Sequence, residues 1–331
     1  MANESKDRRY EANVKAALTV VFVALFAVAF IGLVTMLDNW ANELNAEDEI
    51  KIATEAPAHP FYVLLIGSDS RKGTASYTGK PREHAQVDQH ADIMTLMRID
   101  PAKRIITLVT VPRDTAIGEE GSKLNDALLN NDPNEVVQAV GDLTGVYADY
   151  YMMTSFMSFE NLVNALGGVK VNVPKTVTVT DPATGKKVKV KAGKNRNLNG
   201  SEALVLARAR QEYETDQDAL RQVNVRNLER ALITKILKMD GDFDVEHILA
   251  IIENDTKTNV DLASIGFVML DFVGHADEVT IYDCTGPYVG DNRESDGLWV
   301  VPADREAWAQ LMAVVNAGED PSTVSLAPSF K

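Results

Sequence analysis

The chain has 331 residues, 45% of them apolar, which is enough for one large domain or two small ones with a full hydrophobic core. Its formal net charge of −15 argues against a nucleic-acid-binding protein, because such proteins present a basic surface. Any anionic ligand must therefore be met by a local group of cations or by a metal ion. Cys284 is the one cysteine, so an intramolecular disulfide is excluded, and the strand-like residues before it predict a buried structural thiol.

The N-terminal part of the chain predicts a membrane anchor. Ala16–Leu37 contains no charged residue and is long enough to cross a bilayer, and Trp40 follows it at the position of an interfacial anchor. A cleaved signal peptide would have a shorter apolar segment, and a buried soluble helix is the remaining alternative.

Charge predicts the orientation of this anchor. Lysine and arginine outnumber the acids in residues 1–15, whereas residues 38–49 contain acids and no basic residue. The positive-inside rule then places the N-terminus in the cytoplasm and the main domain outside the cell. We predict a single-pass cell-membrane protein with a cytoplasmic tail (1–15), a transmembrane helix (16–37), a polar spacer (38–59), an extracellular domain (60–317) and a flexible C-terminal tail (318–331).

The extracellular domain opens with strands whose ends carry polar residues. Phe61–Asp69 is a mostly apolar run that ends in a carboxylate, and Ile93–Ile99 with Ile105–Val111 predicts a hairpin covered on both faces. Asp92 precedes the first strand of this hairpin, and Pro112, Arg113 and Asp114 follow the second. Acids and an arginine at the ends of neighbouring strands predict a site for an anion or a metal-bound phosphate.

The segment between the two acids allows more than one interpretation. Ser70–Gln89 is a long loop without apolar periodicity, which is typical of a functional lid or of a plain solvated insertion. Asp88, His90 and Asp92 would share one face of an extended chain, a spacing that fits a metal site, although chance explains so short a pattern well.

The remaining elements alternate between helix and strand in one α/β domain. Thr176–Ala192 predicts a hairpin with four lysines on or near one strand, either to touch an anionic surface or to protect an exposed edge from aggregation. The other predicted elements are the helices Pro133–Thr144, Ser155–Leu166, Asn199–Arg210, Asp218–Met239, Val245–Glu253, Asp261–Val273 and Ala303–Ala317, and the strands Val169–Val173, Val279–Cys284 and Trp299–Val301.

Arginines are concentrated in one part of this acidic chain. Five of them lie within two predicted helices, at Arg208, Arg210, Arg221, Arg226 and Arg230. Solvated helix charge is the simpler interpretation, but guanidinium groups also bind phosphate oxygens in pairs. Together with the carboxylates they fit phosphoryl transfer, in which the acids hold Mg²⁺ and the arginines stabilise charge on the oxygens.

Seven motifs in the same order resemble the LytR-CpsA-Psr family of membrane-anchored enzymes from Gram-positive cell envelopes. They are LLIGSDSR, HADIMTL, ITLVTVPRDT, KLN, FENLVNALGGVKVNVP, LNGSEALVLARAR and DALRQ, and they cover the chain from about Phe61 to Leu237. The resemblance implies an α/β/α fold, with a central mixed sheet flanked by helices and a hydrophobic pocket for a polyprenyl chain.

The resemblance also implies an activity and a set of site residues. Family members transfer glycopolymers such as teichoic acid or capsule from a polyprenyl-pyrophosphate carrier to peptidoglycan, usually with Mg²⁺, with Mn²⁺ as the alternative. The implied residues are Asp69 and Asp92 for the metal, both also catalytic with Arg113, and a set of arginines for the pyrophosphate: Arg71, Arg113, Arg208, Arg210 and Arg221.

Two departures from the family pattern leave alternatives open. His90 stands where the family usually has an arginine, and Asn224 stands where another is common. A neutral imidazole binds an anion less well than a guanidinium does. A non-catalytic module that binds lipid-linked wall polymer, or a polyprenyl-pyrophosphate hydrolase, would also be consistent with these residues.

Overall fold

A computed structural model describes residues 59–70, 89–117, 122–182, 184–210, 212–213, 217–238, 256–260, 268–269, 271–293 and 297–324. These residues belong to one compact unit. The predicted span 16–37, the spacer up to residue 58, Arg71, Asp88 and the predicted helix Val245–Glu253 lie outside them. Within the described ranges, no helix combines the length and the apolarity that crossing a bilayer requires.

The described strands are β1 Phe61–Ser68, β2 Ala91–Asp100, β3 Ile105–Thr110, β4 Ala116–Ile117, β5 Ser122–Lys123, β6 Tyr150–Thr154, β7 Val169–Val173, β8 Val177–Thr180, β9 Lys187–Val190, β10 Gly193–Leu198, β11 Thr256–Thr258, β12 Thr280–Thr285, β13 Asp291–Asn292 and β14 Trp299–Val300. Six of them form the central sheet, in the order β11-β6-β1-β2-β3-β12, and the others form short two-stranded pairs.

The sheet is mixed. Strand β2 is antiparallel to both of its neighbours, β1 and β3, whereas β6 is parallel to β1 and β12 is parallel to β3. The strands β1, β3, β6 and β12 therefore end at the same edge, where β2 begins. Polar residues that follow these four strands, or precede β2, meet at this edge.

Five helices have their bounds within the described residues: α1 Pro133–Thr144, α2 Phe156–Ala165, α3 Gly200–Arg208, α4 Gln217–Lys238 and α5 Arg305–Ala317. One core joins the sheet to α1 and α5 and includes Leu64, Met94, Val140 and Trp308. A second core packs α2, α3 and α4 against the hairpin strands β7 to β10. Helices therefore flank the sheet, as predicted for this α/β domain.

Most of the predicted elements are confirmed. Helix α1 has the predicted bounds, with Asp132 as its N-cap, and Asn199 with Glu202 forms the capping box of α3. The hairpins β2-β3 and β8-β9 also form where they were predicted. Cys284, predicted to be buried, is half-buried and packs against the first core; burial raises the pKa of its thiol to about 12, which fits a structural thiol.

Candidate functional site

Asp69 is placed at the sheet edge by an irregularity in β1. The register between β1 and β2 shifts between Gly67 and Ser68. A Cβ atom at Gly67 would lie 3.0 Å from the Ile93 Cβ, so the glycine allows the two strands to approach closely here. After the bulge, the Asp69 amide donates to the His90 carbonyl at 3.2 Å, and the His90 amide donates to Asp69 Oδ1 at 2.9 Å.

Arg113 is held by the turn that follows β3. The Thr115 hydroxyl donates to the Pro112 carbonyl at 2.7 Å, and the Asn125 amide donates to the Arg113 carbonyl at 3.0 Å. The guanidinium of Arg113 forms a close ion pair with Asp92, the second residue of β2. The prediction that Asp92 and Arg113 meet at the ends of neighbouring strands is therefore confirmed.

Asp218, in the first turn of α4, binds three arginines. Its Oδ1 lies 2.9 Å from Arg221 Nε, 3.4 Å from Arg210 Nε and 3.8 Å from Arg113 Nε. Gln222 Nε2 donates to Asp218 Oδ2 at 2.9 Å. This carboxylate brings together arginines from the turn after β3, the end of α3 and the start of α4. We call Asp218, Arg113, Arg210 and Arg221 the arginine cluster.

The charges of the arginine cluster shift the pKa values of its members. Burial alone would raise the pKa of Asp218, but Arg221, its hydrogen bonds and Arg113 outweigh this effect and lower the pKa to about 2. Burial would lower the pKa of Arg113, but the nearby charges of Asp92, Asp114 and Asp218 raise it. Both groups are therefore fully charged at neutral pH.

The cluster is joined to the sheet by further polar contacts. Arg221 Nη1 donates to the main-chain carbonyl of Asp92 at 3.1 Å, which fixes α4 against the start of β2. Asp114 lies 3.6 Å from Arg113 Nε and accepts a hydrogen bond from Lys123 Nζ at 2.7 Å. Lys123 thus offsets an acid that would otherwise compete for Arg113.

His90 lies between two acids. Its Nδ1 is 3.6 Å from Asp69 Oδ2, and its Nε2 is 3.6 Å from Asp126 Oδ1. Its side chain is 37% exposed. A cation at this position, where the family usually has an arginine, is present only when the imidazole is protonated.

The Asn224 side chain forms a neutral hydrogen bond in place of an ion pair. Its side chain is buried, and its Nδ2 donates to the hydroxyl of Tyr213 at 2.8 Å. This position, at which the resemblance implies an arginine, is thus filled by a neutral hydrogen-bonded pair.

The structure brings some of the predicted arginines together but places one elsewhere. Arg113, Arg210 and Arg221 share Asp218, whereas the guanidinium of Arg208 lies over the Phe156 ring, 4.8 Å from its centroid. Arg208 Nη1 also donates to the Thr180 carbonyl at 3.3 Å. Arg208 is the last residue of α3 and Arg210 follows an extended residue, so the two side chains meet different partners.

Two carboxylates in the described part of the chain are candidates for holding a metal ion. In the part of the chain that the structure describes, no group of three or more His, Cys, Asp or Glu residues could hold one. Asp69 and Asp92 are oxygen ligands with partly exposed side chains, at 26% and 29%. Mg²⁺ is commonly held by one or two carboxylates together with phosphate and water. These two residues fit a Mg²⁺ ion that is shared with a phosphate ligand.

Several residues of this site were not predicted. Asp218 was named within the DALRQ motif and as the first residue of a predicted helix, Lys123 only as part of KLN, and neither was assigned a role. Tyr288 follows β12 at the same edge, and burial raises its pKa, as do the nearby charges of Asp218 and Asp114. The rule that polar residues collect at strand ends would have indicated Tyr288 if it had been applied to β12 as well.

Known proteins resemble this chain over most of its length. The model of the LytR-CpsA-Psr family matches residues 30–315. The polyisoprenyl-teichoic acid–peptidoglycan teichoic acid transferase TagU of Bacillus subtilis is 24% identical over 256 residues, which is 76% of each chain. The crystal structure of B. subtilis TagV matches with a TM-score of 0.60 at 20% identity, covering 79% of this chain and 97% of that one. The structure of TagT bound to LIIa-WTA matches with a TM-score of 0.60 at 19% identity, covering 82% and 96%.

Proposed function

Because the chain belongs to the LytR-CpsA-Psr family, we propose that it is a phosphotransferase that moves a glycopolymer from a polyprenyl-pyrophosphate carrier to peptidoglycan. The observation that carries this proposal is the arginine cluster beside Asp92, where three guanidinium groups share one carboxylate. The names of relatives support it, since TagU is named as a transferase of teichoic acid to peptidoglycan.

The arginines would bind the pyrophosphate of the carrier. Arg210 is the most accessible member of the cluster, with a side chain 42% exposed, whereas those of Arg113 and Arg221 are 14% and 7% exposed. We therefore assign the first contact with substrate to Arg210. Arg113 and Arg221, already oriented by Asp218, would stabilise the charge that builds on the phosphate oxygens during transfer. Arg71 and Arg208 remain predicted pyrophosphate ligands.

The carboxylates would serve the metal and the acceptor. Asp69 and Asp92 would hold Mg²⁺, or Mn²⁺, together with the pyrophosphate, and the ion would supply positive charge to neutralise it. Asp69 or Asp92 would also accept the proton of the attacking hydroxyl. The hydroxyl oxygen then bonds to the phosphorus that carries the glycopolymer, the bond from that phosphorus to the bridging oxygen breaks, and polyprenyl phosphate leaves.

A membrane anchor would suit this chemistry. A polyprenyl carrier is confined to the bilayer, so an enzyme that uses it benefits from an anchor in the same membrane. We propose that Ala16–Leu37 spans the cell membrane with the N-terminus in the cytoplasm and the domain on the outer face.

A turnover assay with the full-length protein in liposomes tests the proposal. The reaction would contain Mg²⁺, a polyprenyl-pyrophosphate-linked oligosaccharide and a peptidoglycan fragment. We expect polyprenyl phosphate and a glycosylated fragment as products, and a loss of about 100- to 1000-fold in rate for Arg113→Ala. Arg305→Ala, which removes an exposed arginine from the start of α5, is the matched control. Full activity of Arg113→Ala would overturn the role of this arginine, and release of the oligosaccharide phosphate to water without transfer would indicate a hydrolase.

A non-catalytic polymer-binding module is the second candidate. It is favoured by the neutral pair of Asn224 and Tyr213, at a position where the family often supplies an arginine. Binding of the lipid-linked substrate without turnover, and without sensitivity to a chelator, would favour this module over the transferase.

A further inference from the structure

We propose that a cavity beside the C-terminal half of α4 binds an anionic saccharide chain. The cavity has a volume of about 370 Å³ and lies between α4 and the strands β7 and β10. Its α4 residues are 227, 230, 231, 234, 235 and 238, which form one stripe along the helix because they recur every three or four positions. This stripe is distinct from the arginine cluster, which uses residues of the first two turns of α4.

The charged residues in the described lining of this cavity are all cations. Among the described residues that line it, four carry positive charge and none is acidic: Lys170, Arg230, Lys235 and Lys238. Arg230 binds Asp283 through Nη1 at 2.7 Å, but a guanidinium has five N–H donors, so it retains others for a ligand. Lys235 and Lys238 also complement the helix dipole in the last turn of α4. That role does not account for Lys170 or Arg230, which lie outside the last turn.

Three asparagines line the same cavity, Asn172, Asn195 and Asn227, and all three residues are exposed. Asn195 lies in a bulge, where the register between β10 and β7 shifts between Gly193 and Arg196. It adopts a φ of 49°, and its main-chain amide donates to Asn172 Oδ1 at 2.9 Å. Bulges often redirect side chains toward a binding site. Amide groups both donate and accept hydrogen bonds, as sugar hydroxyls do.

This combination of groups favours a saccharide over other anions. A membrane surface would be met by a flat basic face with large apolar side chains to insert, whereas the apolar residues that line this concave site are Val171 and Ala231. Single-stranded nucleic acid would need aromatic side chains for base stacking, and the described lining has none. Cations for carboxylates or phosphodiesters, with amides for hydroxyls, match a polyol chain that carries negative charge.

The position of the cavity gives the site a purpose that rests on the proposed function. Arg221 of the arginine cluster and Arg230 of the cavity are nine residues apart on one helix, a rise of about 14 Å together with a rotation of about half a turn around the helix axis. A polymer whose pyrophosphate end lies at the cluster would therefore reach the cavity by passing both along and around α4, a path of several sugar units.

Binding measurements on the full-length protein in detergent test this inference without any turnover. The probes are tetragalacturonate, which carries carboxylates, an oligo(glycerol phosphate) of four units, which carries phosphodiesters, and neutral maltotetraose. We expect at least one anionic probe to bind, maltotetraose to bind far more weakly, and the anionic affinity to fall with added salt.

Substitutions in the cavity lining test whether the anionic probe binds there. We expect the triple variant Lys170→Ala, Lys235→Ala and Lys238→Ala to bind the anionic probe with an affinity lower by roughly tenfold or more. The matched control removes three exposed lysines outside the cavity, Lys103, Lys175 and Lys257, and thus changes the net charge equally. If thermal unfolding shows that the alanine variant is unstable, the test is repeated with the same three lysines replaced by glutamine. Equal loss in the cavity and control variants, or no binding of either anionic probe, would overturn the inference.

Two further measurements distinguish a saccharide site from the transfer site and from a lipid-headgroup site. Arg113→Ala, which should slow transfer by about 100- to 1000-fold, should bind the phosphate-free probe tetragalacturonate as the wild type does, so failure of the proposed function leaves this result intact. Vesicles with anionic phospholipid and vesicles without it are tested in parallel. If the cavity variant loses vesicle binding but keeps saccharide binding, the site is a lipid-headgroup site and the inference is wrong.

Discussion

Asp218 accepts a hydrogen bond from Arg221 Nε at 2.9 Å, three residues further along the same helix. The same carboxylate lies near Arg210 and Arg113, so replacing it leaves three guanidinium groups close together without their shared anion. We expect Asp218→Asn to destabilise the protein by about 3 kcal/mol, because a buried charge loses its partner. Thermal and denaturant unfolding would measure this.

The same variant should also lose activity through misplaced arginines. A shift of about 1 Å in a positioning group can cost about 100-fold in rate, so kcat of Asp218→Asn should fall by about 10- to 100-fold. Asp142→Asn, at an exposed acid of α1, is a suitable control. An Asp218→Asn protein with wild-type stability and kcat would show that the cluster does not depend on this carboxylate.

Acid should destabilise the protein partly through Asp218. Its pKa is lowered in the folded state from 3.8 to about 2, so it contributes stability that is complete above about pH 4. This contribution, about 2 kcal/mol, is lost as the pH falls from about 4 to 2. In Asp218→Asn, the free energy of unfolding should fall less steeply over this range. If the free energy of unfolding falls equally steeply in the two proteins over this range, its pH dependence does not come from Asp218.

Arg210 and Arg208 should differ in their effects. Arg210 reaches Asp218, whereas Arg208 lies over Phe156. We expect Arg210→Ala to raise the KM for the lipid-linked substrate by about 10-fold or more, since a charge-assisted contact to phosphate is lost. Arg208→Ala should have a smaller effect on KM, measured in the same assay. The reverse order would mean that Arg208 turns toward the substrate when it binds.

Glu229 should make the protein less stable as the pH rises toward neutrality. Its Oε1 accepts a hydrogen bond from the Thr95 hydroxyl at 2.9 Å, while its Oε2 is buried without a hydrogen bond among the described residues. Burial raises the pKa of Glu229 from 4.5 to about 7. Since the folded state then holds the proton more tightly than the unfolded state, the contribution of Glu229 to stability is greatest below about pH 4.5 and declines up to about pH 7.

Glu229→Gln removes this titration. At pH 8 the variant should be more stable than the wild type by about 1–3 kcal/mol, because no charge is buried there. Glu160, whose pKa burial also raises to about 7, contributes in the same direction and remains in both proteins. The comparison therefore isolates Glu229. A variant less stable than the wild type at pH 8 would show that the ionised carboxylate is favourably bound.

Metal affinity should depend on the phosphate ligand. Because the proposed site supplies two carboxylates, Asp69 and Asp92, and takes its other ligands from phosphate and water, Mg²⁺ alone should bind weakly, in the millimolar range or not detectably, by calorimetry. Adding inorganic pyrophosphate should tighten Mg²⁺ binding, and a chelator should abolish transfer. Asp69→Asn should remove the tightening, with Asp291→Asn, an exposed acid in β13, as control. Tight Mg²⁺ binding without pyrophosphate would contradict a shared site.

The strands β1, β2 and β3 of the main sheet could be predicted because they have clear apolar runs. The hairpin β2-β3 is buried almost throughout, so the runs around Met94 and Leu108 were sufficient. Strand β6 was not predicted, because Met153 is its one buried residue and its polar and aromatic neighbours show no alternation. Strand β10 was missed for the same reason, since Leu198 is the one buried residue of an otherwise polar segment.

The candidate site was partly predictable. Asp69, Asp92 and Arg113 follow from strand ends, which are visible in the apolar pattern. The role of Asp218 was not visible, because its partners Arg113 and Arg210 come from distant segments that only the fold brings together. Likewise, no spacing rule separates Arg208 from Arg210, since the result depends on where α3 ends.

The strand pairing that holds the turn of Arg113 determines when the site can form during synthesis of the chain. The Val301 amide donates to the Asp114 carbonyl at 2.9 Å, and the Ala116 amide donates to the Val301 carbonyl at 2.8 Å. The turn that positions a central arginine is therefore completed by a residue near the C-terminus. Contacts between such distant segments form late in folding. A nascent chain that has emerged only as far as α4 would contain every proposed ligand of the pyrophosphate, yet it would still lack the segment that holds Arg113 in place.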